Sequence, residues 1–259
     1  MTDNEKRVVV VTGGGSGIGE SCSEVLAADG CLVVVADINL EHANAVAQRI
    51  GGVPWQLDVA ADQSVESAAK DIEIKVGPVY GLVNSAGIAQ PTLPPHKLDM
   101  EIWDRIQRVH LRGTYICCRE FSRGMLARRK GGIVNITSLA GLISSPSHSY
   151  APAKAAITSM THNLAAEWGP SGIRVNAVAP GFTLTPALIA LSKAGGRNWD
   201  RLVSSNPLGR LVEPVEVAHA VAFLLSDHAS AITGADLPVD CGFLAGGAWH
   251  AYGGFHKPE

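Results

Sequence analysis

Residues 7–19 read RVVVVTGGGSGIG, a continuously apolar run followed at once by a glycine-rich loop. A β-branched run of this kind is typical of a strand buried on both faces of a parallel sheet. The helical pattern ESCSEVLAADG follows the loop. Glycines at positions 13, 17 and 19 permit a tight turn and let the backbone approach a pyrophosphate at the helix N-terminus. The stretch therefore predicts a dinucleotide-binding strand–loop–helix unit.

The next apolar run, CLVVVA at 31–36, leads into Asp37, 18 residues beyond Gly19. An acidic residue about 20 positions after such a loop is expected to bind ribose hydroxyls and to repel a 2′-phosphate. Ile38 follows rather than an arginine, and the loop carries Ser16 where a phosphate-binding cation could lie. These residues favour NAD over NADP. The alternative is that Asp37 is an ordinary loop or cap residue.

The alternation of apolar runs and helical patterns continues along the chain. Strands are predicted at about 53–57, 79–83, 132–137, 173–178 and 235–239, with helices at about 39–50, 62–76, 99–129, 150–169 and 213–225. Repeated β-α-β order with buried strands gives a doubly wound parallel sheet of about seven strands with helices on both faces. No linker or repeat interrupts the pattern, so we expect a single α/β domain over residues 1–259.

Composition excludes several classes of function. The 259 residues carry a net charge of −3 and a pI near 6.3, which favours neither nucleic acid nor an anionic membrane surface. No apolar run approaches the ~20 residues of a membrane span, and the opening MTDNEKR shows no signal-peptide core. Five cysteines without metal-ligand spacing indicate reduced thiols, so we expect a cytoplasmic protein with no bound metal.

Residues 138–154, SLAGLISSPSHSYAPAK, carry the expected chemistry. Tyr150 and Lys154 are four apart where a helical pattern begins, so both side chains lie on one helix face. A nearby cation lowers the pKa of a tyrosine from about 10, which makes Tyr150 a usable general acid or base. Ser138 follows a strand, at the edge where open parallel sheets bind ligands. A chance surface pair and a turn-capping serine are the alternatives.

In this order the motifs resemble the short-chain dehydrogenase/reductase family over about residues 6–244. The matching motifs are TGGGSGIG at 12–19, Asp58, NSAG at 84–87, Ser138, YAPAK at 150–154, Asn176 near APG, and PGFTLT at 180–185. The separation of 12 residues between Ser138 and Tyr150 is also usual for that family. The resemblance implies a Rossmann-type fold, a nicotinamide cofactor and oxidoreductase activity.

The resemblance also implies a role for each matching residue. Tyr150 would act as the catalytic acid or base, Lys154 would bind the nicotinamide ribose and lower the pKa of the tyrosine, and Ser138 would polarise the substrate oxygen. The implied cofactor-binding residues are Gly13, Ser16, Gly17, Ile18, Gly19, Asp37, Ile38, Asp58, Val59, Asn84, Ala86, Gly87, Tyr150, Lys154, Pro180, Gly181, Thr183 and Thr185.

Two residues depart from the family pattern. His110 stands where the family usually carries an asparagine that holds a water linking the lysine to solvent. A neutral imidazole has a donor and an acceptor and could replace the asparagine in this catalytic relay, or it could disrupt the relay or enter the substrate side. The lesser departure is Cys241, where the family usually has glycine.

The predicted reaction is reversible hydride transfer between a secondary alcohol and NAD. Polar residues 144–148 before the tyrosine favour a sugar or polyol substrate. The alternatives are a 3-oxoacyl-thioester (3-oxoacyl-ACP) reductase, a cyclic alcohol or ketone as substrate, and a non-catalytic dinucleotide-binding sensor. The residues expected at the substrate are Ser138, His148, Tyr150, Phe182 and Trp199.

Two C-terminal segments carry further expectations. Residues 187–206, interrupted by Gly195 and Gly196, form either a movable substrate lid or a surface helical hairpin. The extension at about 245–259 contains Trp249, Tyr252 and Phe255 and is too apolar for a free tail. Because members of the resembled family are commonly tetramers, we expect a homotetramer in which this extension lies against a partner subunit.

Overall fold

The computed structural model describes residues 6–193 and 198–255. The predicted interruption at Gly195 and Gly196 and the last four residues of the extension lie outside the described residues. The strands are β1 (Val8–Thr12), β2 (Leu32–Asp37), β3 (Val53–Gln56), β4 (Val79–Asn84), β5 (Gly131–Ile136), β6 (Ile173–Pro180) and β7 (Asp236–Val239). All seven pair in parallel in the order β3-β2-β1-β4-β5-β6-β7, which confirms the predicted sheet.

Ten α-helices are described, several of them short. They are α1 (Gly17–Ala28), α2 (Leu40–Ile50), α3 (Asp62–Lys75), α4 (Met100–Gln107), α5 (Gly113–Arg128), α6 (Tyr150–Trp168), α7 (Pro186–Lys193), α8 (Trp199–Ser204), α9 (Pro214–Leu225) and α10 (Phe243–Gly246). A π-helical turn, Arg108–Arg112, joins α4 to α5 within the segment predicted as continuous helix.

Alternate strand residues point to opposite faces of the sheet, and each face has its own core. Val9 and Val11 pack on one side with apolar residues of α1, α2 and α9. Val8 and Val10 pack on the other side with residues of α3, α5 and α6. Helices therefore cover both faces, as the continuously apolar strands predicted.

The strand order reverses between β1 and β4, because the chain builds outward from β1 in one direction and from β4 in the other. Open sheets of this type bind ligands beyond the carboxyl ends of their strands at such a reversal. The register aligns Thr12, Ala36, Asn84, Asn135 and Ala177 across five strands, so the loops that follow meet at one edge. No helix in the described part of the chain is both long and apolar enough to cross a membrane.

Candidate active site

The glycine loop between β1 and α1 can exist only with glycine at its contact points. Gly13 and Gly17 have positive φ values of 64° and 56°. A Cβ at Gly13 would lie 2.8 Å from Ala86 Cα, and one at Gly19 would lie 2.1 Å from Gly13 O. Ser16, the N-cap of α1, makes no cap bond with its side chain, and Ile18 packs on the core. The first N–H groups of α1 therefore form a cradle that fits a pyrophosphate.

The Asp37 carboxylate is fixed by the backbone at the end of β2. One oxygen accepts a hydrogen bond from Gly15 N at 3.0 Å, and the other accepts from Asn39 N at 2.9 Å. The residue is only 9% exposed, whereas Ile38 beside it is 64% exposed. Asp37 therefore lies against the glycine loop, where a ribose bound at this edge would meet its carboxylate.

The turn after β4 is held by a residue that the sequence analysis did not single out. Thr12 Oγ1 accepts hydrogen bonds from Ser85 N and Ala86 N, each at 3.2 Å. Asn84 turns its side chain into the sheet, where Nδ2 donates to Asn135 Oδ1 at 2.8 Å. The Asn84 amide nitrogen is therefore engaged within the sheet rather than facing the edge. The signals that could have revealed Thr12 and Asn135 are polar residues at the ends of otherwise apolar strands.

Asp58 and Val59 occupy the loop after β3. Asp58 Oδ1 accepts from Ala60 N at 2.9 Å, which is the geometry of a turn-forming aspartate. Val59 is 7% exposed and packs against Gly113 at the start of α5. The structure thus brings both residues to the carboxyl edge of the sheet, with the Asp58 carboxylate engaged by its own turn.

Tyr150 and Lys154 share one face of the first turns of α6, as their spacing predicted. The Lys154 Nζ atom lies 5.5 Å from the centre of the Tyr150 ring and donates to Ile136 O at 2.6 Å. Burial lowers the pKa of Lys154 to about 7. Ser138 lies at the end of β5, and its Oγ accepts from Ala140 N at 3.2 Å.

The Ser138 turn is packed directly on α6. A Cβ at Gly141, three residues beyond Ser138, would lie 2.7 Å from Ala155 N and 3.1 Å from Lys154 Cβ. This contact requires glycine and brings the turn after β5 against the first turns of the helix. Ser138, Tyr150 and Lys154 therefore belong to two elements that touch each other at the carboxyl edge.

His110 lies inside the π-helical turn and touches the tyrosine. Its ring meets the Tyr150 ring edge to face, with centres 5.0 Å apart. Its Nε2 lies 3.1 Å from Ile88 N and 2.9 Å from Ile88 O, whereas Nδ1 is buried and meets no partner among the described residues. Burial, and then the charge of Lys154, lower the pKa of His110 to about 3. The imidazole is therefore neutral at physiological pH.

The loop after β6 returns to the glycine loop. Pro180 is the last residue of β6, and Thr183 Oγ1 donates to Gly181 O at 3.0 Å. A Cβ at Gly17 would lie 3.4 Å from the Thr185 methyl group, so Thr185 lies beside the N-terminus of α1. The loop after β6 therefore reaches the glycine loop at the carboxyl edge of the sheet.

The predicted substrate residues outside this cluster lie in different surroundings. The Phe182 ring packs edge to face on Phe243 of α10, with centres 5.4 Å apart. Trp199 begins α8 and is 36% exposed. His148 lines a cavity of about 310 Å³. The other lining residues are Ala140, Gly141, Ile143, Ser144, Ser145, Ser147, Ala151, Pro152 and Ala155, and neither Tyr150 nor Lys154 is among them.

Comparison with known proteins identifies the family to which the chain belongs. A family model described as Enoyl-(Acyl carrier protein) reductase matches residues 13–244. The chain is 40% identical over 246 residues to cis-4-hydroxycyclohexanecarboxylate dehydrogenase of Sinomonas cyclohexanicum, covering 93% of this chain and 97% of that protein. The chain belongs to the short-chain dehydrogenase/reductase family. Family members bind a nicotinamide dinucleotide, and the glycine cradle fits one.

One further relative and one crystal structure are similar to nearly the whole chain. Galactitol 2-dehydrogenase of Rhizobium johnstonii is 39% identical over 241 residues, which is 90% of this chain and 93% of that protein. A crystal structure named as ribose-5-phosphate isomerase from Brucella melitensis 16M superposes with a TM-score of 0.96 at 49% identity, covering 97% of this chain and 98% of that one. The named relatives are dehydrogenases of cyclic alcohols and polyols, and this member of the short-chain dehydrogenase/reductase family is an oxidoreductase.

Proposed function

We propose that this enzyme oxidises a secondary alcohol reversibly with NAD, and that Tyr150 is its acid–base residue. The observation that carries the proposal is the shared face of Tyr150 and Lys154 at the carboxyl edge, against the Ser138 turn. The bound nicotinamide supplies the hydride acceptor. Tyr150 Oη takes the proton from the substrate hydroxyl, and the Ser138 hydroxyl hydrogen-bonds the oxygen as charge develops on it.

Lys154 and His110 support the tyrosine in this proposal. In its protonated form Lys154 favours the phenolate of Tyr150, and its side chain binds the nicotinamide ribose. His110 replaces the family's asparagine as the holder of a water between the lysine and solvent. Its Nδ1 is buried without a partner among the described residues, and its ring touches Tyr150, which supports this role.

The proposed choice of NAD rests on Asp37. Its carboxylate is held by two backbone N–H groups and faces the glycine loop, so a 2′-phosphate on the ribose would meet a fixed negative charge. The other proposed nucleotide contacts are the loop residues named above, from Gly13 to Thr185. A 3-oxoacyl-thioester reductase is the second candidate. The matching family model is described as Enoyl-(Acyl carrier protein) reductase, which links the family to acyl-carrier-protein substrates but names the reduction of a carbon–carbon double bond rather than of a ketone. Such reductases normally use NADPH, and the Asp37 carboxylate would repel the 2′-phosphate of NADPH.

A sugar or polyol is the proposed substrate class, with cyclic alcohols as the alternative. The galactitol relative supports the first and the hydroxycyclohexanecarboxylate relative supports the second. His148 and three serines contribute polar side chains to a cavity beside the Ser138 turn whose other lining residues are apolar or glycine, and these polar groups could bind substrate hydroxyls. Phe182, in the loop after β6, and Trp199, at the start of α8, are the further proposed substrate contacts. The two short helices α7 and α8 serve as the lid in this proposal.

Assembly and location complete the proposal. The enzyme is a cytoplasmic homotetramer of single-domain subunits, in which the C-terminal extension lies against a partner. Trp249 is 50% exposed and Tyr252 is 85% exposed, so both aromatic side chains are accessible to a partner subunit in this proposal.

The proposed chemistry is tested by following NADH formation with a panel of polyols and cyclic secondary alcohols. We expect turnover with NAD, and loss of at least about 1,000-fold in kcat for Tyr150→Phe while the dissociation constant of NADH changes by less than about threefold. Tyr115→Phe, on α5 and 46% exposed, is the matched control and keeps full activity. Retained turnover in Tyr150→Phe would refute the assignment, and binding of NADH without any turnover would favour a non-catalytic sensor.

A further inference from the structure

The first turn of α6 is capped by a side chain from a distant loop. Gln90, in the loop after β4, accepts hydrogen bonds at Oε1 from Ser149 N at 2.9 Å and from Tyr150 N at 2.8 Å. Gln90 is 7% exposed, so both bonds are shielded from water. The first N–H groups of a helix have no partner within the helix and need an acceptor from elsewhere. Here that acceptor is the Gln90 carboxamide oxygen.

The serine that would ordinarily cap this helix is committed to another helix. Ser149 is the N-cap residue of α6, yet its side chain makes no cap bond. Its Oγ donates to Trp103 O in α4 at 2.9 Å and accepts from Gln107 Nε2 at 3.0 Å. Ser149 thus ties α6 to α4, and Gln90 takes over the capping.

The remaining donors of the first turn are accounted for. Ala151 N donates to Ser147 O at 2.9 Å, and Ala153 N donates to Ser149 O at 3.2 Å. Pro152 between them has no N–H. Gln90 Oε1 is therefore the acceptor for the backbone N–H of Tyr150.

We propose that Gln90 is a positioning residue for Tyr150, whose backbone it fixes so that the phenol stays in contact with His110 and Lys154. This inference rests on the proposed role of Tyr150 as the acid–base residue. A catalytic group displaced by about 1 Å can lose roughly 100-fold in rate, even when the change lies outside the reacting groups. Without Gln90 Oε1 the backbone N–H of Tyr150 loses its acceptor, and the first turn of α6 is no longer fixed at Tyr150.

The two halves of the Gln90 carboxamide can be separated by substitution. Oε1 makes both bonds to α6, whereas Nε2 meets no partner within residues 6–193 and 198–255. Gln90→Glu keeps an acceptor of the same length, and two N–H donors together with a helix N-terminus favour its charged form. Gln90→Leu keeps the volume and removes the acceptor. Gln90→Leu removes the acceptor and Gln90→Glu retains one at the same position, so comparing the two variants tests whether an acceptor is needed there.

The experiment measures amide hydrogen exchange and steady-state kinetics on the full-length protein. For Gln90→Leu we expect the amides of Ser149 and Tyr150 to exchange at least about tenfold faster, and kcat to fall about 10- to 100-fold with KM changed less. For Gln90→Glu both quantities stay within about threefold of the unsubstituted enzyme. Ile72→Val, a core truncation on α3 at a fully buried position, controls for lost stability and changes neither quantity.

Two results would overturn the inference. One is a Gln90→Leu protein with unchanged exchange and unchanged kcat, and the other is a Gln90→Glu protein as impaired as Gln90→Leu. If the unsubstituted protein oxidises no alcohol, the proposed function fails. The exchange rates of the same two amides then decide by themselves whether Gln90 fixes the first turn.

Discussion

His110 gives the enzyme a titratable group that burial keeps uncharged. Its pKa is lowered to about 3, mainly by burial and further by Lys154, from an ordinary value of 6.5. Between these pH values the unfolded chain binds a proton that the folded chain does not. The folded state therefore loses stability as the pH falls from 6.5 toward 3, by up to about 1.4 kcal/mol per pH unit from this residue.

His110→Asn should flatten that dependence. Asparagine cannot take up a proton, so the free energy of unfolding of the variant should fall less steeply between about pH 6 and pH 4 than that of the unsubstituted protein. Urea denaturation at a series of pH values measures the difference. Parallel curves for His110→Asn would contradict the assigned burial of the imidazole.

Asp37 should decide which nucleotide is used. Replacing it with serine removes the fixed charge beside the glycine loop, so the ratio of kcat/KM with NAD to kcat/KM with NADP should fall at least about tenfold, which is ~1.4 kcal/mol. Asp29→Ser makes the same charge change at an exposed position just after α1 and should leave the ratio unaltered. An unchanged ratio in Asp37→Ser would remove the basis for proposing NAD.

Sequence spacing shows some of these residues and hides others. Tyr150 and Lys154 were predictable because i and i+4 share a helix face, and Asp37 was predictable because it follows a strand at a set distance from the glycines. The lowered pKa of Lys154 comes from depth of burial, which packing of the whole edge determines. Gln90 was hidden because it meets its partners from about 60 residues away, where no local pattern marks it.

At the scale of elements, a buried polar network joins β4, β5 and α6. Asn135 on β5 is fully buried, accepts from Asn84 Nδ2 at 2.8 Å and donates to Thr161 Oγ1 at 2.9 Å. Thr161 lies on the same helix as Tyr150, about three turns further along. The network therefore fixes α6 against the two central strands, below the first turn that Gln90 caps.

Asn135→Ala should destabilise the fold by about 2–4 kcal/mol, because it leaves buried donors and acceptors on Asn84 and Thr161 without their partner. Thr161→Val, which removes one bond and keeps the shape, should cost about 1–2 kcal/mol. Urea denaturation gives both free energies of unfolding. A loss below about 0.5 kcal/mol for Asn135→Ala would mean that the network adds little to the attachment of α6.

Most elements were predictable because two simple patterns generate them. Continuous β-branched runs predicted the central strands, and the proline-flanked turn at Glu213 predicted the start of α9. The π-helical turn at Arg108–Arg112 was not predictable, since its sequence RVHLR has no feature that distinguishes it from an α-helix. That turn sets the position of His110, and tertiary contacts with Ile88 and Tyr150 accompany it.

At the scale of the molecule, the sheet order brings loops from five strands to one edge. The C-terminal extension also packs on the subunit: a Cβ at Gly246 would lie 3.0 Å from Pro207 and 2.6 Å from the Phe255 ring, and Phe243, just before the extension, packs on Phe182. Trp249 and Tyr252 on the same extension remain half or more exposed. The extension is thus attached at its apolar side and presents two aromatic side chains outward.

The double substitution Trp249→Ser and Tyr252→Ser should weaken assembly without unfolding the subunit, because both side chains are exposed in the isolated chain. Light scattering after size exclusion should show a smaller mass at low micromolar concentration, with unchanged far-ultraviolet circular dichroism. Ile74→Ser, on α3 and 70% exposed, is the control for loss of an exposed apolar side chain and should keep the mass of the assembly. An unaltered mass in the double variant would count against the proposed tetramer contact.

The most direct test of the whole account is the fate of hydrogen on the carbinol carbon. A polyol or cyclic alcohol deuterated at that carbon is incubated with NAD and the enzyme in ordinary water, and the reduced nucleotide is analysed by mass spectrometry. The account predicts one deuterium per reduced nicotinamide, and none with Tyr150→Phe because no turnover occurs. Undeuterated product, or exchange of the label with water and no reduced nucleotide as in a sugar isomerisation, would contradict it.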